Sequence, residues 1–187
     1  MSNPKVVQTS RGEVLIRTTR EQDAQAYREL RLEALQTHPF VFASSYEEDH
    51  VLPDEHWLQR VREGAGSERS AIYVAEAAGR LVGMVGIMRP NHIKMQHQGL
   101  IWGVYVRADW RGIRLSDALL EACIDWARQH QLRLVKLGVV TVNHTAIRSY
   151  VRSGFQIYGV EPEVIHYNGT FYDELVMYRR LEPATNQ

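Results

Sequence analysis

Cysteine is almost absent from this chain. Cys123 is the one thiol in 187 residues, which excludes an internal disulfide framework and suits a reducing compartment. Net charge is absent too: 22 basic residues balance 22 acidic ones, so no broad electrostatic attraction draws the chain to nucleic acid. No apolar run approaches the length of a membrane span, and the opening MSNPKVVQTSRG lacks the apolar stretch of a signal peptide. Eight histidines offer no pair at a convincing ligand spacing. His92 and His97 share a loop with neither a helix nor a cysteine to fix them, so no metal site is read. Repeats, low-complexity segments and linkers are missing as well. These absences leave a cytoplasmic single domain over residues 1–187, with an ordered core expected over about 13–181 and polar, poorly ordered ends in the first dozen residues and the tail EPATNQ.

What is present is ordinary globular material, 44% apolar and 24% charged, in a length that buries a sizeable core. Residues 14–17 read as a short strand, and T-R-E-Q-D after it as a helix start capped by Thr18 or Thr19. Ala24, Tyr27, Leu30, Leu32 and Leu35 keep roughly helical spacing until Pro39 stops it. A second helix over 53–62 opens on Pro53 and sets Trp57, Leu58 and Val61 on one face. AIYVAE, a Gly79 turn and LVGMVGIM form a hairpin rich in β-branched residues. NHIKMQHQG is a polar loop into a strand over 100–106, followed by a long helix over 116–129 and a strand over 132–140. A short helix over 145–152 closes at Gly154. A strand over 155–160 leads through E-P-E and the turn Asn168-Gly169 to a last strand over 171–178. The order β-α-α-β-β-β-α-β-α-β-β predicts an α/β sheet with helices on both faces.

Function is most legible from Leu100 to Trp126. LIWGVYV is an apolar strand, RADWRGIRLS a short basic turn and DALLEACIDWA an amphipathic helix. Such a unit aims several backbone N–H groups and the positive end of a helix at one point, a ready site for a phosphate; alone, the turn also reads as a plain surface turn before an ordinary helix. Further on, NHTAIRSYVRSGF carries a second capped helix in which Ala146, Ile147, Tyr150 and Val151 share a face. Together the two segments resemble the acetyl-CoA site of the GCN5-related N-acetyltransferase (GNAT) superfamily over about residues 98–158, and RLEALQTHPFVFASSYEED looks like the first-helix region of bacterial members. That family's turn reads R/Q-x-x-G-x-G/A. This chain has Arg111-Gly112-Ile113-Arg114-Leu115-Ser116, with Arg114 at a glycine position and Ser116 where glycine or alanine is usual. The Arg114 guanidinium can fold back onto a phosphate, and serine is small and a favoured N-cap.

The resemblance implies a mixed, mostly antiparallel GNAT-like sheet with a splayed strand pair, and an acetyl-CoA-dependent N-acetyltransferase acting on a primary amine by direct attack. The acceptor is a small molecule or a protein amino group. It implies that Val104, Tyr105 and Val106 pair with the pantetheine arm, and that Arg111, Gly112, Ile113, Arg114, Leu115 and Ser116 hold the pyrophosphate. A backbone N–H near Val104 faces the oxyanion. Asn143, a natural N-cap, bonds the cofactor arm as well. Tyr150 protonates the departing thiolate; read from its helix alone, it is a core aromatic. Acetyl-CoA and the amine are the expected partners, a homodimer is left open, and neither nucleic acid nor membrane is expected.

Some members of the family carry a glutamate on the strand before the turn. Here that strand has no carboxylate and Leu100 holds the matching position. Glu33, His97, Asp173 and Glu174 remain as candidates, each with a solvated or structural role open to it. A water chain serves equally, and no base is assigned. Cys123 lies with Leu119 and Leu120 on the apolar side of its helix and reads as core. Trp102, Trp57, Phe40 and Phe42 either wall an acceptor pocket or pack as core. Two other functions compete: a CoA-binding sensor or scaffold with impaired catalysis, and an assembly contact through the last strands without CoA.

Overall fold

The computed structural model describes residues 4–181; residues 1–3 and the tail 182–187, read above as polar ends, lie outside the described residues. Strands form where β-branched and apolar residues cluster: β1 (Lys5–Thr9), β2 (Gly12–Thr18), β3 (Ser70–Ala77), β4 (Arg80–Met88), β5 (Gln98–Val106), β6 (Leu134–Val140), β7 (Gln156–Tyr167) and β8 (Thr170–Arg180). The helices are α1 (Ala24–Thr37), α2 (Tyr46–His50), α3 (Asp54–Gly64), α4 (Leu115–Gln129) and α5 (His144–Arg152). The strands make one sheet in the order β1-β2-β3-β4-β5-β6-β8-β7. Every pairing is antiparallel except that of β5 with β6.

Both faces of the sheet are covered. Tyr27, Leu30 and Ala34 of α1 and Trp57 and Val61 of α3 pack on Ile72, Val74, Leu81 and Met84. On the other face Leu119, Leu120, Cys123 and Ile124 of α4, with Tyr150 of α5, pack on Ala71, Tyr73, Val85 and Ile87. The alternation along β3 explains this division: successive side chains leave a strand on opposite faces.

Four details differ from the sequence pattern. The sheet begins with β1 at Lys5, ahead of the expected core: β1 pairs with β2 over five residue pairs and Val7 packs against the core. Neither threonine caps the first helix. The Asp23 carboxylate accepts the Arg20 N–H at 2.7 Å instead, while the Thr19 hydroxyl donates to the Val61 carbonyl at 2.8 Å. The short α2 was not anticipated; Ser45 and Glu48 close it as a reciprocal capping box, at 3.2 and 2.7 Å, with too few residues to show a period. Finally, β7 runs through E-P-E to Tyr167, with its register broken there and Glu163 at φ 55°. A proline is tolerated because β7 is an edge strand.

The central irregularity lies on β5. Gly86 opposes Trp102 and Met84 opposes Tyr105, so β5 carries one residue more than β4 between these pairs. The bulge falls at Gly103, whose φ of 66° suits glycine. On its other side β5 pairs with β6 only from Gln98–Leu134 to Leu100–Lys136. Beyond Leu100 the two parallel strands diverge.

Candidate active site

The divergence opens a wedge, and the wedge is the floor of a cavity of about 690 Å³. Its walls are Ile101 to Val106 of β5, Leu137 to Val139 of β6, the turn before α4 and the inner face of α5. Among the described residues, no strand pairs with the β6-facing edge of β5 beyond Leu100. Buried backbone groups need partners, so this edge offers an extended ligand a row of donors and acceptors.

At one end of the cavity stands the turn. Arg114 is the N-cap of α4 and adopts φ 61°, ψ 25°, the left-handed geometry that a glycine would supply. The turn therefore keeps its shape despite the arginine. Gly112 is also left-handed, at φ 80°, and a Cβ there would meet nothing within 4 Å. The first N–H groups of α4 have no intrahelical acceptor and carry the positive end of the helix dipole. Arg111, Gly112, Arg114, Leu115 and Ser116 all line the cavity, joined by Arg148 and Arg152 of α5. The Ile113 side chain, by contrast, packs against the core, which leaves only its backbone for a ligand. Arg111 is anchored by its Nε, which donates to the Val106 carbonyl at 2.9 Å. Ser116 is not the cap. Its hydroxyl lies 3.1 Å from that of Ser149, and Ser149 donates to Asp117 at 2.7 Å, tying α4 to α5.

Tyr150 is buried and lines the cavity. Burial, with the charge of Glu174 nearby, pushes its hydroxyl well above the usual phenol range, so it stays protonated. Asn143 lines the cavity and caps α5, its Oδ1 accepting the Ala146 N–H at 3.2 Å. Val104, Tyr105 and Val106 lie along the unpaired edge. Of the four aromatic residues considered for an acceptor pocket, Trp102 and Phe42 line the cavity. Trp57 is core against Tyr27, and Phe40 stacks on Tyr172 at 5.0 Å. Cys123 is fully buried in the core. Among the described residues, no group of three or more His, Cys, Asp or Glu is placed to hold a metal ion, and no helix is long and apolar enough to cross a membrane.

Sequence reasoning missed His38, Val41 and Gly138, all of which line the cavity. His38 follows α1 and its ring meets Tyr105 edge-on at 6.0 Å. Burial, then the Arg111 charge, lowers its basicity. A histidine closing a helix just before Pro39 is a weak local signal. Gly138 gave no signal at all, because its importance lies in what crosses above it.

Comparison with known proteins agrees with this geometry. The model of the family described as Acetyltransferase (GNAT) family matches residues 25–155. L-amino acid N-acetyltransferase AaaT of Escherichia coli (strain K12) is 26% identical over 173 residues, 90% of this chain and 98% of that protein. A Xenopus tropicalis protein named probable N-acetyltransferase camello is 31% identical over 107 residues, 56% of this chain, and the match spans only 48% of its own length. Among solved structures, the putative acetyltransferase yncA from Salmonella typhimurium, with its cofactor acetyl-CoA, superposes with a TM-score of 0.78 at 20% identity, covering 100% of this chain and 98% of that one.

Proposed function

The chain belongs to the acetyltransferase (GNAT) family, and from that premise we propose that it moves an acetyl group from acetyl-CoA to a primary amine by direct attack. The observation that carries this reading is the wedge: an unpaired strand edge that leads from a basic helix N-terminus to a buried, protonated tyrosine. Acetyl-CoA, when bound, supplies the thioester carbonyl that the amine attacks. The free backbone of Val104, Tyr105 and Val106 holds the pantetheine arm in strand-like fashion, with an N–H near Val104 turned to the developing oxyanion. The N–H groups from Arg111 through Gly112, Ile113, Arg114 and Leu115 to Ser116, with the Arg114 guanidinium, take the pyrophosphate. Asn143 caps α5 through its oxygen and has its amide N–H left for the arm. Tyr150 gives its proton to the departing thiolate.

For the acceptor, the nearly full-length match to a protein named as an L-amino acid N-acetyltransferase supports an amino acid or similarly small amine ahead of a protein amino group. The single-domain organisation is supported by two cores built on one sheet. A second copy of the chain as partner is supported by exposed Ile157, Val160 and Phe171 on the last hairpin. A cytoplasmic location is supported by the lone, buried thiol.

Calorimetry with acetyl-CoA, followed by thiol release across a panel of amines that includes amino acids, tests the reading. Binding and turnover are expected. Tyr150→Phe is expected to keep acetyl-CoA affinity within about threefold while kcat falls about 100-fold. Binding without turnover on any amine returns the chain to a sensor or scaffold. No binding heat at millimolar acetyl-CoA overturns the reading.

A further inference from the structure

Acetyl transfer to an amine releases a proton at nitrogen and consumes one at sulfur, so the site needs a proton acceptor to match the donor at Tyr150. Most candidates are already engaged or misplaced. Glu33 Oε1 accepts from the Tyr105 hydroxyl at 2.9 Å, and its Oε2 pairs with Arg107 at 2.9 Å. Asp173 Oδ1 accepts the Glu163 N–H at 2.9 Å. His97 lines a separate hollow with Arg133, Leu134 and Arg180. His38 lines the cavity, but its Nδ1 lies 2.8 Å from the Thr37 hydroxyl and its ring sits in the field of Arg111, on the phosphate side.

We propose that Glu174 is the general base, the group that takes the proton from the acceptor amine; this rests on the acetyl-transfer reading above. Its side chain leaves β8 on the face shared with Tyr172 and Val176, the face where Tyr172 stacks on Phe40 from the loop after α1. It lies over Gly138 of β6, where a Cβ would collide with the carboxylate. Gly138 lines the cavity and Glu174 itself does not, so the carboxylate stands directly behind the wall that Gly138 forms, in room that the missing side chain provides. Among the described residues, no side chain donates a hydrogen bond to it. The groups around it do not neutralise it either. Glu161 of β7 is its direct cross-strand partner, and Lys136, on the same face of β6, turns its ammonium to the Tyr158 ring at 5.8 Å. The hydroxyl of Tyr150, from α5, feels the Glu174 charge. Burial and then the Glu161 charge push the Glu174 carboxyl up, towards the range where a carboxylate is an effective base near neutral pH.

The proton balance closes within this pair. The amine nitrogen forms its bond to the acetyl carbon, and the C–S bond then breaks. Glu174 takes the N–H proton and Tyr150 delivers its own to the thiolate. The proton on Glu174 then passes through water to the Tyr150 phenolate, and both groups end as they began.

Glu174→Gln keeps the side chain's size and the strand. With an amine that the native chain acetylates, kcat is expected to fall about 100-fold or more at unchanged acetyl-CoA affinity, and the acidic limb of the pH profile is expected to vanish. Glu161→Gln removes the opposing charge and is expected to move that limb to lower pH. Carbon-13 NMR of the glutamate carboxyls, with the Glu174 signal identified by its loss in Glu174→Gln, reads the resting protein without any acceptor; its titration is expected above that of an ordinary glutamate. The assignment is overturned by a Glu174→Gln enzyme within about tenfold of native, by an acidic limb that persists in it, or by a carboxyl titrating at or below the ordinary value. If the native chain turns over no amine, the acetyl-transfer reading fails by itself, and the carboxyl titration still decides whether Glu174 is built as a base.

Discussion

Arg114 shows how one residue can depart from a motif while its backbone does not. The position requires positive φ, and arginine adopts it because the Asp117 and Ala118 N–H groups both close on the Arg114 carbonyl, at 3.1 and 3.3 Å. The strain of an L residue there is about 1 kcal/mol. Arg114→Gly is therefore expected to gain about 0.5 kcal/mol in urea denaturation, since the extra freedom of glycine in the unfolded chain takes back part of the relief. It should still bind acetyl-CoA by calorimetry, with affinity lowered about fivefold by loss of one charge-assisted phosphate contact. A sharp rise in affinity would instead show that the arginine obstructs the cavity. The sequence shows the turn as a local pattern, a basic turn before a helix, whereas the role expected of Tyr150 came from the family resemblance, its helix alone reading as core. Glu174, Gly138 and His38 come from three separate elements. Only the order β6-β8 sets Glu174 over Gly138, and no local pattern encodes that neighbour.

At the scale of elements, β5 decides whether there is a site at all. The hydrophobic run LIWGVYV announces a strand but not its bulge, since a glycine inside a strand has several meanings. Gly103 takes φ 66° in open space, so the demand there is conformational rather than steric. Gly86, on the facing strand, is steric: a Cβ there would collide with the indole of Trp102, its cross-strand partner. Gly103→Ala is expected to cost about 1 kcal/mol in urea denaturation. Regularising the bulge would draw β5 towards β6 and narrow the wedge, so acetyl-CoA binding should weaken by more than stability alone explains. Unchanged calorimetric affinity would mean that the bulge does not hold the wedge open. Helices and strands with long periodic patterns were readable from the sequence to within a few residues at their ends, except β7, which runs on through E-P-E to Tyr167. The short α2 and the half-exposed β1 were not, because a five-residue element has too little sequence to show a period.

For the molecule as a whole, the question is what joins α1 and α3 to the sheet that carries the wedge. The two cores lie on opposite faces, and the first is closed by a buried ion network at its edge. Arg17 of β2 pairs with Asp23, just ahead of α1, at 2.6 Å, and its Nε with Glu76 of β3 at 2.6 Å. Only 4% of the Arg17 side chain and 7% of that of Asp23 are exposed. Hydrogen bonding to Asp23, outweighing the cost of burial, raises the Arg17 guanidinium further above its usual range, so the arginine keeps its charge whatever its partner does. Replacing the pair with apolar residues could be neutral, but removing one partner leaves a buried charge uncompensated. Asp23→Ala also takes the carboxylate from the Arg20 N–H at the helix start. The variant is expected to lose about 3 kcal/mol in urea denaturation. Because both cores share one sheet, near- and far-ultraviolet circular dichroism should report a single coincident transition in native and variant chains alike. Two separated transitions would mean that α1 and α3 unfold apart from the sheet, so that their face opens independently of the wedge.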